Sequence, residues 1–336
     1  MQFINFVQLM RDSSVSWQKI LAQGFASVNE LLEFLSLPLT LGSTMAEQNF
    51  KTRVPRGFVA RMQQGNPRDP LLLQVLAVNE ELTDVEGYIS DPLAEHNNHP
   101  RQGLIHKYKG RVLLTLTGAC AINCRYCFRR HFPYENHNPG REGWRTALDY
   151  VQADSTIHEV ILSGGDPLLA SNQVIASLLQ QLQEISHLRT IRFHTRIPIV
   201  LPERIDTGFL QCLEATPLRK VIVLHTNHPQ ELNHAVFEAC KALRESGCHL
   251  LNQSVLLKGV NDEVDTLAEL SEQLLNCGVL PYYLHLLDKV KGAAHFDIPE
   301  EEALSIYREL QKRLPGYLLP RLAREEPGKE SKTIFV

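Results

Sequence analysis

The chain has 336 residues, which is more than most single domains need, although an α/β barrel can reach about 250 residues as one unit. Hydrophobic residues make up 43% of the chain and charged residues 21%, and both fractions are ordinary for a globular protein. The net charge of -4 argues against a general binder of nucleic acid or of membrane surfaces, because such proteins usually carry a basic patch.

The first residues and the cysteines together indicate a compartment. Residues 1–10 are apolar but lack the positive start and the small-residue cleavage site of a signal peptide. No stretch approaches the ~18 uninterrupted apolar residues of a membrane-spanning helix. With seven cysteines in such a chain, we expect the reducing cytoplasm, where grouped cysteines more often bind metal or do chemistry.

The N-terminal quarter of the chain is predicted to be helical. Apolar positions recur at helical spacing in residues 15–34 and 70–82, and residues 55–62 are a candidate for a further short helix. No strand alternation is visible here, and residues 91–101 are predicted to be a loop. We therefore expect a helical N-terminal region over residues 1–95.

From residue 96 the pattern changes to alternating strands and helices. Predicted strands lie at residues 112–117, 159–163, 190–195, 220–225, 249–257 and 280–287. Predicted helices lie at residues 143–152, 172–185, 203–214, 231–246, 263–276 and 299–313. The strand starts from 159 onward are 31, 30, 29 and 31 residues apart, which is the length of a βα unit.

Six such units predict an α/β fold, a partial (β/α)6 barrel with its active site at the carboxyl ends of the strands. The strands are apolar on both faces, as buried parallel strands are. A doubly wound open sheet is the alternative, but no Gly-x-Gly-x-x-Gly follows the first strand to favour it. We predict a barrel core over residues 96–314 and a C-terminal segment over residues 315–336, which by composition alone would be a frayed end.

Three cysteines directly follow the first predicted strand: Cys120, Cys124 and Cys127. Their position places them in a βα loop at the catalytic face. Three thiolates can hold an iron–sulfur cluster with one iron left open to a small molecule, whereas a structural zinc site is normally closed by four ligands. A distant cysteine or His131 could complete a zinc set, so zinc and coincidence remain alternatives to the cluster.

The Cys-x3-Cys-x2-Cys spacing after the first strand of such a chain resembles the radical S-adenosylmethionine superfamily. The resemblance implies a [4Fe-4S] cluster whose open iron binds S-adenosylmethionine and whose electron cleaves it to a 5′-deoxyadenosyl radical. Gly164 and Gly165, at the end of the second strand, are similar to the superfamily's glycine motif, and the resemblance places Tyr126 beside the adenine. Glycine permits the close backbone approach that this motif needs.

Further segments resemble the lysine 2,3-aminomutase family, and in particular its bacterial members that make β-lysine for modification of translation elongation factor P. These segments are residues 106–114, 128–130, 162–168, 196–202, 226–229, 252–262 and 281–284. The resemblance implies conversion of L-lysine to β-lysine with pyridoxal phosphate as a second cofactor. It also implies elongation factor P and its lysyl ligase as partners.

In this family a lysine near the C-terminus forms a Schiff base with pyridoxal phosphate. Aligning on Pro327-Gly328 places this lysine at Lys332. The chain departs from the family's usual run of glycines here, so Lys329 remains a competing candidate. The resemblance implies three further contacts to pyridoxal phosphate: Tyr108, Arg111 and Arg196.

The resemblance also implies the residues that bind the substrate. Arg129 matches the arginine for the α-carboxylate, Asp288 matches one carboxylate for the ε-ammonium, and Glu325 stands where the family usually has a second aspartate. His228 and Gln253 match positions near S-adenosylmethionine. Glutamate as substrate remains an alternative, although both carboxylates would repel its side chain.

The last two points concern the oligomeric state and the class of protein. Some family members carry a cysteine that binds an interface zinc, and this chain has Glu263 there, so we expect no such zinc and a looser oligomer or none. A zinc-dependent binding module for RNA or protein is the distant alternative to an enzyme.

Overall fold

A computed structural model describes residues 15–95, 100–134 and 140–335. The prediction about a signal peptide at residues 1–10 lies outside these ranges, as does part of the predicted loop 91–101. Among the described residues, no helix is both long and apolar enough to cross a membrane.

The N-terminal region is helical, as predicted, but its helices are short. They are α1 (Trp17–Ala22), α2 (Val28–Phe34), α3 (Thr44–Asn49), α4 (Arg56–Val59) and α5 (Pro70–Leu73). The predicted run 15–34 breaks where Phe25 forms a β-bridge with Val54. An added Cβ on Gly24 would stand 2.9 Å from the Val54 carbonyl oxygen, so glycine permits the close approach at this bridge. Asp69 starts α5 by accepting bonds from the backbone N–H groups of Leu71 and Leu72.

All six predicted strands are confirmed, and three shorter strands were missed. The strands are β1 (Leu104–Tyr108), β2 (Arg111–Thr117), β3 (Glu159–Gly164), β4 (Thr190–Thr195), β5 (Arg219–His225), β6 (Cys248–Val255), β7 (Leu280–His285), β8 (Arg321–Arg324) and β9 (Thr333–Ile334). They form one sheet in chain order. Strands β2 to β8 run parallel, and β1 and β9 pair antiparallel at the two edges.

Helices cover the outer face of this sheet. They are α6 (Gly140–Ala153), α7 (Asn172–Gln183), α8 (Ile197–Val200), α9 (Thr207–Glu214), α10 (His234–Glu245), α11 (Val264–Asn276) and α12 (Glu300–Arg313). Helix α7 buries Ile175, Leu178, Leu179 and Leu182, which recur at helical spacing on one face. Helix α9 begins later than predicted because the Asp206 side chain caps it at Phe209 N–H.

The architecture is therefore an α/β partial barrel of the predicted class. Within the described ranges no pairing joins β9 to β1, so the barrel has an open edge. One hydrophobic core joins the N-terminal helices to the barrel, with Phe58 and Leu72 in the same cluster as Phe193. The tail is not a frayed end, because β8 and β9 extend the sheet. The domain boundaries at residues 95 and 314 stay a prediction.

Candidate active site

The cysteine loop follows β2 directly and rests on the backbone of the glycine motif. Gly165 N–H donates to Thr117 O at 2.7 Å, and Asp166 N–H donates to Ala119 O at 2.8 Å. A Cβ on Gly165 would stand 2.2 Å from that Ala119 oxygen, and Gly164 has a φ of +114°. Gly165 is required because the start of the cysteine loop packs against it, and Gly164 is required because of its positive φ and the close approach of Thr117 on β2.

The N-terminal region holds this loop from its other side. Arg125, within the cysteine motif, is fully buried and forms a two-bond ion pair with Glu81, with contacts of 2.7 and 2.5 Å. Its backbone N–H donates to Gln74 O at 2.9 Å, and Arg53 Nη1 donates to Cys120 O at 2.9 Å. The sequence analysis missed these anchors, because the partners lie 44 to 67 residues apart in the chain.

The three cysteines are free thiols close enough to affect one another electrostatically. Burial, and then the neighbouring Cys124, raise the pKa of Cys127 to about 11. Burial and the other two cysteines likewise raise the pKa of Cys120. Three thiols that raise one another's pKa values when buried are stabilised as thiolates by soft metal ions, so these residues fit a [4Fe-4S] group.

No three His, Cys, Asp or Glu side chains converge on a single metal ion within the described ranges. His131 lies half-buried with Nε2 at 3.1 Å from Lys291 O.

Arg196 lies beside the cysteine loop. Its Nη1 donates to Cys124 Sγ and to Tyr126 Oη, both at 2.7 Å. Asn227 Nδ2 also donates to Tyr126 Oη at 2.7 Å, and burial holds the pKa of this phenol well above its usual value. The assignment of Arg196 to pyridoxal phosphate stays a prediction, whereas the contacts just described join Arg196 to Cys124 and Tyr126 in the cysteine loop.

The inner face of the barrel carries polar side chains near the ends of the strands. His225, Gln253 and Tyr283 are register neighbours on β5, β6 and β7, so they share one face, and Leu224 on the other face packs in the helix-covered core. His285 follows two residues after Tyr283. A barrel interior is ordinarily filled by branched apolar residues, so this row indicates a ligand site.

Three histidines of this face were missed in the sequence analysis. His194 and His225 have ring centroids 6.0 Å apart, and their Nε2 atoms are buried without a hydrogen-bond partner among the described residues. Burial lowers the pKa of His225 and of His285 to about 3, helped by nearby cations, so these rings are neutral at physiological pH. Their common position, last or next to last in a strand, was the signal that could have found them.

Two of the positions predicted for S-adenosylmethionine, Gln253 and His228, lie on different elements. Gln253 lies half-buried on the inner face, between His225 and Tyr283. His228 lies after β5, where its Nδ1 accepts from Gln230 N–H at 3.1 Å and burial lowers its pKa. Both assignments stay predictions.

The C-terminal segment brings Lys332 into the site. Strand β8 pairs parallel with β7, and β9 returns antiparallel, so Lys332 lies against Glu325 in an ion pair. Lys107 on β1 donates to the other oxygen of Glu325 at 2.8 Å. Lys329 is 53% exposed and pairs with Glu326, whereas Lys332 is 23% exposed. The geometry therefore favours Lys332 over Lys329.

Two carboxyl groups near Lys332, those of Glu325 and Asp288, have pKa values shifted in opposite directions. Burial opposes ionisation of Glu325, but the ammonium groups of Lys332 and Lys107 outweigh it and hold the pKa of this carboxyl well below its usual range. Burial raises the pKa of Asp288 to about 7, and the negative charge of Glu325 adds to that rise. The two predicted substrate carboxylates thus share one electrostatic cluster with the predicted cofactor lysine.

The residues here fit pyridoxal phosphate. Arg111 lies with its guanidinium carbon 4.8 Å from the Tyr108 ring centroid, and within the described ranges it has no carboxylate partner. Burial and a hydrogen bond to Glu325 raise the pKa of Tyr108. The Lys332 amine, the Arg111 guanidinium and the Tyr108 aromatic ring suit the aldehyde, the phosphate and the ring of this cofactor.

Arg129 faces the same interior but is already paired. Its Nε and Nη2 contact the two oxygens of Glu95 at 2.6 and 2.8 Å, and Nη1 donates to Ser163 Oγ at 3.1 Å. Burial opposes the charge, yet Glu95 holds the pKa of Arg129 above its usual value. Glu95 lies in the predicted loop 91–101, and nothing in that pattern indicated the pair.

Comparison with known proteins identifies the family of this chain. The model of the Radical SAM superfamily matches residues 114–270. A protein of Haemophilus influenzae named L-lysine 2,3-aminomutase is 46% identical over 95% of this chain and 95% of its own length. A protein of the same name from Escherichia coli is 46% identical over 98% of this chain and 97% of its own length.

A more distant relative of that name, from Clostridium subterminale, is 32% identical over 94% of this chain and 77% of its own length. Each of these three matches covers 94% or more of this chain. The chain belongs to the L-lysine 2,3-aminomutase family of radical SAM isomerases.

Proposed function

We propose that this protein is a pyridoxal phosphate-dependent radical SAM enzyme that converts L-lysine to β-lysine. The observation that carries the proposal is the shared cluster of Asp288 and Glu325 with Lys332, in a barrel interior that Arg129 also faces. Two carboxylates for a cation and an arginine for a carboxylate suit lysine at both of its ends. The side-chain carboxylate of glutamate would meet repulsion from Asp288 and Glu325.

Each group of residues has its own task in this proposal. Cys120, Cys124 and Cys127 hold the cluster, with Tyr126 and the glycine motif beside the S-adenosylmethionine position. When bound, the cluster and S-adenosylmethionine supply a radical that removes hydrogen from the β-carbon, and pyridoxal phosphate supplies a conjugated ring for the migrating amine. Lys332 anchors that ring.

The remaining charges orient the two ligands. Arg111 would hold the phosphate, Lys107 helps to keep Glu325 ionised, and Arg129 would bind the α-carboxylate of lysine. Asp288 and Glu325 draw the ε-ammonium to the opposite end. The neutral imidazoles of the inner face provide hydrogen-bonding groups without adding charge.

We also propose a cellular role in the cytoplasm, in which the β-lysine modifies translation elongation factor P through its lysyl ligase. Support for this role is the resemblance to the bacterial members of the family, together with the identity to the Escherichia coli and Haemophilus influenzae relatives.

The direct experiment is anaerobic reconstitution. The purified protein receives iron, sulfide and pyridoxal phosphate, and then S-adenosylmethionine, dithionite and either L-lysine or L-glutamate. We expect β-lysine and 5′-deoxyadenosine by mass spectrometry with lysine only, and neither product from a Cys124→Ala protein. The absence of both products from the unaltered chain would refute the proposal, and a β-amino product from glutamate would establish the alternative substrate.

The lysine assignment has a matched pair of variants. Lys332→Ala should abolish β-lysine formation, whereas Lys329→Ala should leave it intact, because Lys329 points to Glu326. Borohydride reduction of the loaded protein followed by peptide mass spectrometry locates the modified lysine. Label on Lys329 in the unaltered protein would overturn the assignment.

A further inference from the structure

Arg196 makes a contact that substrate or pyridoxal phosphate binding does not explain. It follows β4 directly, is 6% exposed, and places Nη1 2.7 Å from Cys124 Sγ. Its Nη2 donates to Glu231 Oε2 at 2.9 Å and to Gln74 Oε1 at 2.7 Å. One buried cation thus joins a cluster-binding cysteine to a buried carboxylate.

The guanidinium is fixed at this place from both ends. At the backbone, Arg196 N–H donates to Asp166 Oδ2 at 2.8 Å. Its partner Glu231 is fully buried, and its second oxygen accepts from Gln74 Nε2 at 3.1 Å and from Asn227 N–H at 2.9 Å. Both terminal nitrogens of Arg196 are hydrogen-bonded, and these bonds hold the guanidinium against Cys124, whereas its Nε has no partner among the described residues.

We propose that Arg196 raises the reduction potential of the cluster by holding its positive charge against Cys124, and that Glu231 limits the size of this effect. The inference rests on the proposed cluster. Reduction adds one electron from an external donor, dithionite in the test below, so the charge of the cluster becomes more negative by one. Arg196 gains neither electron nor proton but stabilises that added charge, and hydrogen bonds to cluster sulfurs act in this direction.

The pairing with Glu231 gives a test in which two variants have opposite signs. Arg196→Met removes the cation and leaves the carboxylate, so the one-electron reduction should become about tenfold less favourable, a fall of about 59 mV. Glu231→Gln leaves the cation without its counter-ion, so the potential should rise. The measurement is a redox titration of the reconstituted proteins followed by electron paramagnetic resonance, without S-adenosylmethionine.

Arg204→Met is the matched control. Arg204 is also fully buried, but it donates to the carbonyl oxygens of Leu168 and Ala170 at 2.6 and 3.0 Å and to none of the three cysteines. Arg204→Met should lower the melting temperature of the protein and leave the reduction potential of the cluster unchanged. If the Arg196→Met protein does not bind the cluster, Arg196→Lys takes its place in the test. This variant keeps the positive charge but has a single donor group, so it should lower the reduction potential by a smaller amount.

Potentials that move in the same direction in the Arg196 and Glu231 variants, or that match the Arg204 control, would overturn the inference. The outcome is separable from that of the proposed function. A cluster that forms and shifts as expected without β-lysine production would support the inference and refute the aminomutase. Failure of the unaltered chain to bind iron would refute the cluster on which both rest.

Discussion

The cysteine loop and the C-terminal segment are held in place by different physical means. The cysteine loop packs against backbone groups: Gly165 leaves no room for a Cβ beside the Ala119 carbonyl, and Gly165 and Asp166 donate backbone hydrogen bonds to Thr117 and Ala119. Lys332 is held by an ion pair and by two residues of β9. We therefore expect the loop to be sensitive to added atoms and the segment to be sensitive to charge and pH.

The largest effect should come from adding one methyl group beneath the cysteine loop. In Gly165→Ala the new Cβ would stand 2.2 Å from Ala119 O, a backbone atom that cannot yield without moving the cysteines. We expect loss of iron binding, measured by iron content and absorbance after reconstitution, and a large fall in melting temperature.

Gly316→Ala is the control for that substitution, since no heavy atom lies within 4 Å of its added Cβ. It should bind iron as the unaltered chain does. Normal iron content in Gly165→Ala would show that the loop is not seated on this glycine.

The next effect belongs to the C-terminal segment. Glu325→Gln leaves the ammonium groups of Lys332 and Lys107 without their shared counter-ion, at a cost of about 3 kcal/mol in the free energy of unfolding. Because the pKa of Glu325 is lowered in the folded protein, its stabilisation is present above the unfolded value near 4.5 and is lost as the pH falls through the folded value. Urea unfolding at pH 7.5 and in acid measures the difference.

The adjacent Glu326→Gln is the matched control, because Glu326 pairs with the exposed Lys329. It should change the unfolding midpoint little at either pH. Equal effects of the two substitutions at pH 7.5 would show that the ion pair of Glu325 with Lys332 contributes no more to stability than the exposed pair of Glu326 with Lys329.

Local pattern predicted the parts of the fold that repeat. Strands β2 to β7 were found from their apolar runs and spacing, and the cysteine loop from its position after the first of them. Strands β1, β8 and β9 were missed, because each has five residues or fewer and β8 reads Arg-Leu-Ala-Arg. Such edge strands gain their order by pairing with a neighbour that is already formed, which no local period reveals.

The site was predictable in its types of residue but not in its partners. Spacing indicated the three cysteines, and only resemblance to a family indicated Lys332, Asp288 and Arg129. The pairs Arg129 with Glu95 and Arg196 with Glu231 join residues 34 and 35 positions apart on different elements. Long-range pairs of this kind depend on how strands and loops are placed in space, so a single sequence does not specify them.

The third prediction concerns the pH dependence of stability at Asp288, which follows β7 and lies near Lys332. The pKa of Asp288 rises from 3.8 to about 7 on folding, so the folded state holds a proton that the unfolded state has lost. Its burial therefore destabilises the protein increasingly from about pH 4 to about pH 7. Asp288→Asn should remove that cost, raising the free energy of unfolding by about 4 kcal/mol at pH 8 and by almost nothing below pH 4.

The same substitution should raise the KM for lysine, because it removes one carboxylate of the proposed ammonium site. Thermal unfolding across the pH range and steady-state kinetics measure the two effects. A stability gain that does not vary with pH would contradict the buried titration.

The smallest effect should come from Tyr126→Phe in the cluster region. The change removes one hydroxyl that accepts hydrogen bonds from Arg196 and Asn227, each at 2.7 Å. It leaves the backbone contacts between the cysteine loop and the glycine motif unchanged. We expect about 1 kcal/mol of lost stability, with iron content unchanged, and no effect from Tyr317→Phe, whose ring is 64% exposed. If Tyr126→Phe instead lost its iron as completely as Gly165→Ala, side-chain bonds rather than backbone contact would hold the cysteine loop, and the contrast with the C-terminal segment would fail.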